Sequence, residues 1–276
     1  SVTPETRAYS FGFHQMMDNL GAVFGPLLAF SLARFAHWDL RWIFGFAIVP
    51  GLCAVAVLVF GVKEPDVANK PKDKGGRAPV AGSAEGGTAR SRIDASVKRY
   101  LLAVGVFSLG ASADSFMLLR MQRQGLGVVW LPIAWLSLNA VKALTNVGGG
   151  RLSDRFGHKW TLLGGWTLYA IVYAILPIAH TWTATWLVML GYGFYYGLAE
   201  GAEKALLTEL APKEERGRAF GMLHAITGAA VLPANAIFGF VFDTRPELAF
   251  GIGAAFAALG AALLSTVPPC ERPRAA

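Results

Sequence analysis

Eight long apolar stretches constrain this chain more than any other feature. They lie near residues 9–33, 42–61, 100–119, 128–148, 161–179, 184–207, 219–241 and 247–267. As helices rising about 1.5 Å per residue, segments of about twenty residues cross a hydrocarbon layer about 30 Å thick. A soluble protein of this size does not need eight such runs. Only 16% of the residues are charged, against roughly 25% in soluble domains, and the mean hydropathy is +0.44. The expected fold is an all-α, polytopic membrane helix bundle with eight transmembrane helices.

Charge placement gives the orientation. With eight spans both termini share one side, and 18 of the 25 Lys and Arg residues fall there, against five opposite. Lys142 and Lys204 lie within spans. The asymmetry survives removal of the linker, so the positive-inside rule puts both termini in the cytoplasm of a multi-pass inner (plasma) membrane protein. The net charge of +7 therefore reads as membrane orientation, and nucleic acid is not expected as a partner. Cys53 and Cys270 offer neither a disulfide framework nor a metal spacing, and no cofactor is expected. Residues 62–98, rich in Lys, Gly, Pro, Ala and Ser, read as a flexible cytoplasmic linker.

The connection Gly148-Gly149-Gly150-Arg151-Leu152-Ser153-Asp154-Arg155-Phe156-Gly157-His158-Lys159-Trp160 reads as a tight, Gly-bounded turn between two spans. Its dense charges place it at the cytoplasmic face. Gly150-x-Leu152-Ser153-Asp154-Arg155-x-Gly157-His158-Lys159 resembles the loop motif of the major facilitator superfamily, with His158 replacing a usual cation. That motif joins the second and third helices of each six-helix half.

An internal repeat points the same way. Arg7-Ala8-Tyr9-Ser10-Phe11-Gly12 matches Arg216-Gly217-Arg218-Ala219-Phe220-Gly221, and each opens a span with a mid-helix proline, Pro26 or Pro233. The resemblance implies that the eight spans are the family's fifth to twelfth helices, so the sequence reads as a fragment. Residues 1–61 would hold the last two helices of the N-terminal half, and residues 99–267 the six-helix C-terminal half. Residues 268–276 would form a cytoplasmic tail. It further implies that Gly150, Asp154, Arg155, Gly157 and Lys159 latch the cytoplasmic side. Asp154 would then meet the N-terminus of the helix starting near Arg7.

Intramembrane charges are the candidate chemistry, because each costs about 2.5–3.5 kcal/mol at mid-depth. His14 and Asp18 stand four apart on one face, as a locking pair or as a proton-handling pair. Asp114 has no partner in its own span and is a candidate for protonation-coupled work. Glu200 follows Tyr192, Tyr195 and Tyr196, and it can pair with Lys204 or, across the bundle, with Lys142. Lys204 reads more simply as a snorkelling side chain. Gly21, Gly25 and Pro26 form a kinked packing segment that also partly resembles the family's antiporter motif, which favours efflux. Gly191, Gly193 and Gly197 read as helix packing.

The expected function is secondary active transport of a small solute by alternating access, coupled to protons and performed by a monomer when full length. The alternatives are a polytopic enzyme acting on lipid and a non-transporting receptor or scaffold. The sequence shows no phosphate-binding loop, no His-Glu-x-x-His and no Gly-x-Ser-x-Gly.

Overall fold

The computed structural model describes residues 24–61 and 94–268. Residues 62–93 of the expected linker (62–98), and the segment carrying Arg7, His14, Asp18 and Gly21, lie outside the described residues, while residues 95–98 of that linker are helical. The chain divides into two compact units, residues 32–92 and residues 1–31 with 93–276. In the smaller unit, α2 (Leu40–Phe46) and α3 (Ile48–Gly61) follow a turn at His37, with Trp38 set edge-on against Phe46. A helix preceding that turn, α1 (Phe24–Arg34), carries Gly25 and Pro26.

The larger unit is built from α4 (Ala95–Gly110), α5 (Ser115–Arg123), α6 (Leu131–Phe156), α7 (His158–Ile175), α8 (Trp182–Leu210), α9 (Arg216–Thr244) and α10 (Pro246–Ser265). Described residues include five segments long and apolar enough to cross a membrane, with α4 and α5 together forming one of them. Helix α8 has the length, but its Tyr, Thr and Trp residues lower its hydropathy. Packing runs α6 on α8, α8 on α7, α7 on α10, and α10 on both α4 and α9. Large apolar side chains point outward: Leu144, Leu232 and Phe240 are 79%, 78% and 80% exposed. Such a surface suits lipid and would be an aggregation liability in water.

Lipid tails are as apolar as leucine, so helices in a bilayer associate by close packing rather than by escape from water. The α6–α8 contact shows how close that packing becomes. A methyl at Gly149 would lie 1.8 Å from the carbonyl oxygen of Gly197, and one at Gly197 would lie 2.6 Å from the Thr145 Cβ. These glycines bring the two backbones into direct contact.

Two expectations need correction. The charged connection is not a long turn, because α6 continues as helix through Gly148–Phe156 and Gly157 alone reverses the chain, at φ 97°. The glycine triplet that suggested a turn serves, at Gly149, the contact with α8. The third expected span, 100–119, is not one helix: residues 111–114 are non-helical and separate α4 from α5.

The glycine seam yields a stability prediction. Gly197→Ala overpacks the backbone contact and should cost about 1–3 kcal/mol or more, whereas nothing lies within 4 Å of a methyl at Gly201. Thermal unfolding of the purified protein in detergent should show a clear loss for Gly197→Ala and little change for Gly201→Ala.

Candidate functional site

The break between α4 and α5 frees backbone groups at a depth where water is scarce, and each unpaired one is costly. Side chains from two other helices meet them. The Tyr169 hydroxyl on α7 donates to the Gly110 carbonyl (3.2 Å), and the Asn235 Oδ1 on α9 accepts from the Ala113 N–H (2.8 Å). Ser112 Oγ lies 2.9 Å from the Tyr173 hydroxyl, also on α7.

Asp114 occupies the N-cap position of α5, where the helix dipole favours an anion. Its carboxylate accepts from Lys142 Nζ of α6 at 2.6 Å, from Tyr192 of α8 at 2.8 Å, and from Tyr196 of α8 at 3.1 and 3.3 Å. The two charged side chains are only 10% and 13% exposed. Lys142 Nζ also stands 3.6 Å from the centroid of the Tyr196 ring, where the π-face attracts a cation. Five of the seven tyrosines (Tyr169, Tyr173, Tyr192, Tyr195 and Tyr196) pack into one aromatic cluster beside this pair.

The C-terminal end of α5 is held as firmly. Arg120, 4% exposed, donates to the Pro177 and Ala179 carbonyls, and Arg123 donates to the Phe242 carbonyl and to Asp243 Oδ1. Gln124 adds a bond to the Ala179 carbonyl. This nine-residue helix is thus tied at both ends to α6, α8, α9 and the α7–α8 connection.

The structure therefore brings Asp114, Lys142 and Tyr196 together. Lys142 pairs with Asp114, not with Glu200 as the sequence suggested. Asn146 Nδ2 of α6 is the group that reaches Glu200 Oε2, at 3.5 Å. Lys204 is exposed and makes no ion pair with Glu200. Tyr169, Tyr173, Asn235 and Arg120 were not singled out from the sequence. An Arg four residues before a Gln in a short amphipathic segment was the available signal for one; nothing local marks the others.

At the start of α7, Lys159 is buried and donates to the carbonyls of Ser265 and Val267, capping α10. His158 bridges Ser153 Oγ at 2.7 Å and Glu209 Oε1 at 3.4 Å. Asp154 and Arg155 are exposed beside them. The expected partner of Asp154 near Arg7 lies outside the described residues.

The sequence matches the profile of the Major Facilitator Superfamily over residues 1–142 and 133–276. The chain belongs to this superfamily. An uncharacterised MFS-type transporter of Methanocaldococcus jannaschii is 26% identical over 270 residues, covering 95% of this chain and 64% of the relative. A citrate-proton symporter of Salmonella typhi is 30% identical over 135 residues, covering 48% of this chain and 26% of that protein. A multidrug resistance protein, MdtH of Cronobacter sakazakii, is 28% identical over 106 residues, covering 38% and 26%. The chain thus spans less than two thirds of the length of these relatives. As a superfamily member it is a multi-pass membrane protein of a transporter family rather than an enzyme family.

A buried ion pair makes a distinctive mutational pattern. Removing one partner leaves an uncompensated charge and costs about 3–5 kcal/mol, whereas replacing both costs far less. Asp114→Asn and Lys142→Gln should each lower the melting temperature in detergent, and the double variant should recover most of the loss. Additive losses would mean that the two charges do not neutralise each other.

Proposed function

We propose that the intact protein is a proton-coupled secondary transporter that moves a small solute by alternating access. The observation that carries this reading is the Asp114–Lys142 pair at a break in a spanning helix, walled by tyrosines. Interrupted helices with charged groups near mid-depth suit substrate and ion sites, because the freed backbone and the charges bind solute rather than lipid. The pair is neutral while closed, and a charged solute or a proton can exchange for either member as the site changes access. Such exchange supplies the differential binding between conformations that coupling requires.

The tyrosine cluster suits a solute with an apolar body and a polar or charged end. The names of the two functionally described relatives, a citrate-proton symporter and a multidrug resistance protein, supply the first solutes to try. Efflux is the direction favoured by the partial antiporter-like pattern of Gly21, Gly25 and Pro26. The motif at Gly150–Lys159 acts in this reading as the cytoplasmic latch, with Asp154 as its anion. The domain division into an N-terminal portion (1–61), a linker (62–98), a C-terminal half (99–267) and a tail (268–276) is part of the same proposal, as are inner-membrane residence and monomeric action.

The test is flux in proteoliposomes of the intact protein under an imposed pH gradient, with radiolabelled citrate and ethidium as probes. Movement of one probe, chemically unaltered and dependent on the gradient, is expected. Asp114→Asn should reduce it at least about tenfold, which corresponds to 1.4 kcal/mol or more of lost stabilisation. Asp154→Asn should abolish it while leaving expression intact. Recovery of a chemically modified lipid or probe would instead support a membrane enzyme, and binding without flux would support a receptor.

A further inference from the structure

On a different side of the helix break, α4, α9 and α10 leave a groove between them with about 470 Å³ of free space, within the range of about 300–1,000 Å³ typical of small-molecule sites. Its lining side chains are all apolar. The floor is set by a close approach of α4 to α10, where a methyl at Gly110 would lie 2.8 Å from the Gly253 carbonyl oxygen. The rim is open, with Leu109 40% and Ile237 57% exposed.

One end of the groove lies at the turn joining α9 to α10, and that turn is Arg245. Its N–H donates to the carbonyl of Val241, and its carbonyl accepts from the N–H of Ala249. Val241 and Ala249 are themselves lining residues, one on each wall. Arg245 thus stands one helical turn beyond the groove on both helices. Its side chain is exposed and, among the described residues, has no hydrogen bond or ion pair. Two carboxylates flank it, but both face arginines of α5: Asp243 meets Arg123 at 2.6 Å and Glu247 meets Arg120 at 3.4 Å. Three arginines therefore stand against two acids, and Arg245 is the cation left over.

The groove has the dimensions of one leaflet. Ala234 and Phe256, the lining residues farthest from the turn, are each eleven residues from Arg245. That spacing is about 16 Å along a helix, close to half of a hydrocarbon layer about 30 Å thick. An apolar trough of this length, with a free guanidinium at one end, is complementary to a molecule with a hydrocarbon tail and an anionic head. A free anion would leave the trough unfilled, and a lipid without net charge would leave the third arginine unneutralised.

We infer that the groove between α4, α9 and α10 is a binding site for a single anionic phospholipid, with one acyl chain along the groove and the phosphate on Arg245. The guanidinium donates two parallel hydrogen bonds to the phosphate oxygens, a geometry that lysine does not reproduce. The site depends on residence in a membrane and not on transport.

The test is lipid binding to the intact protein in detergent, read by native mass spectrometry and by the melting temperature. Dioleoyl phosphatidylglycerol and dioleoyl phosphatidylcholine are added separately, so that only the head differs. One phosphatidylglycerol should be retained in preference to phosphatidylcholine, and it should raise the melting temperature saturably. Arg245→Gln should weaken phosphatidylglycerol binding about fivefold, the size of one cation's attraction to anionic lipid, and leave phosphatidylcholine binding unchanged. Ile237→Trp and Leu109→Trp, which fill the groove from its exposed rim, should weaken binding of phosphatidylglycerol without changing the melting temperature in detergent alone. Leu232→Trp, on the same helix outside the groove, should have no effect. Equal retention of the two lipids, wild-type selectivity in Arg245→Gln, or wild-type binding in both groove-filling variants would overturn the assignment. Equal stabilisation by inorganic phosphate would do so as well, because the groove would then take no part.

Discussion

A chain that interrupts a helix inside a bilayer must find partners for the freed N–H and C=O groups without help from bulk water. That requirement organises the larger unit of this protein. The segment 111–114 persists because Tyr169, Tyr173 and Asn235 reach it from α7 and α9. Asp114 fills the cap position at the start of α5, and a lysine and two tyrosine hydroxyls fix its charge. The break also separates a short helix that is fastened at its C-terminal end by Arg120 and Arg123. A rigid element with defined anchors at both ends can move as a body when the anchors exchange partners. Domain rearrangements in transporters depend on such discrete contacts.

Helix packing sets the geometry of that centre. Lys142 reaches Asp114, and Asn146 reaches Glu200, because α6 and α8 approach to backbone contact at Gly149 and Gly197. Larger residues there would separate the helices and pull the Tyr192 and Tyr196 hydroxyls away from α6. Asp114 and Glu200 meet partners that lie one turn apart along α6, Lys142 and Asn146. Asp114 is surrounded by donors, whereas Glu200 faces an amide whose oxygen is still waiting for one.

Much of this architecture was legible in the sequence, for identifiable reasons. The apolar runs and the motif around Asp154 carry the fold, because spanning length and loop charge are local properties. Asp114 and Glu200 could be picked out because a charge in an apolar run is conspicuous. The break at 111–114 could not, since Ala111-Ser112-Ala113 contains no breaker and the run reads as continuous helix. Three consecutive glycines misled in the other direction: Gly148–Gly150 looked like a turn but lie within α6, where Gly149 meets α8. Partner identity was hidden for a related reason. Whether Lys142 meets Asp114 or Glu200 depends on how α6 is rotated against α8, and no single helix encodes that. Likewise Lys159 looked like a loop cation, while in the structure it closes the carbonyl end of α10, more than a hundred residues away.

The satisfied helix break is the claim on which the site rests, and amide hydrogen–deuterium exchange of the intact protein in lipid nanodiscs tests it directly. The segment 110–117 should exchange nearly as slowly as the adjoining turns of α4, and Asn235→Ala should speed its exchange selectively. Exchange in the unaltered protein as fast as at an exposed loop would contradict the account, because the break would then be open to water rather than closed by its neighbours.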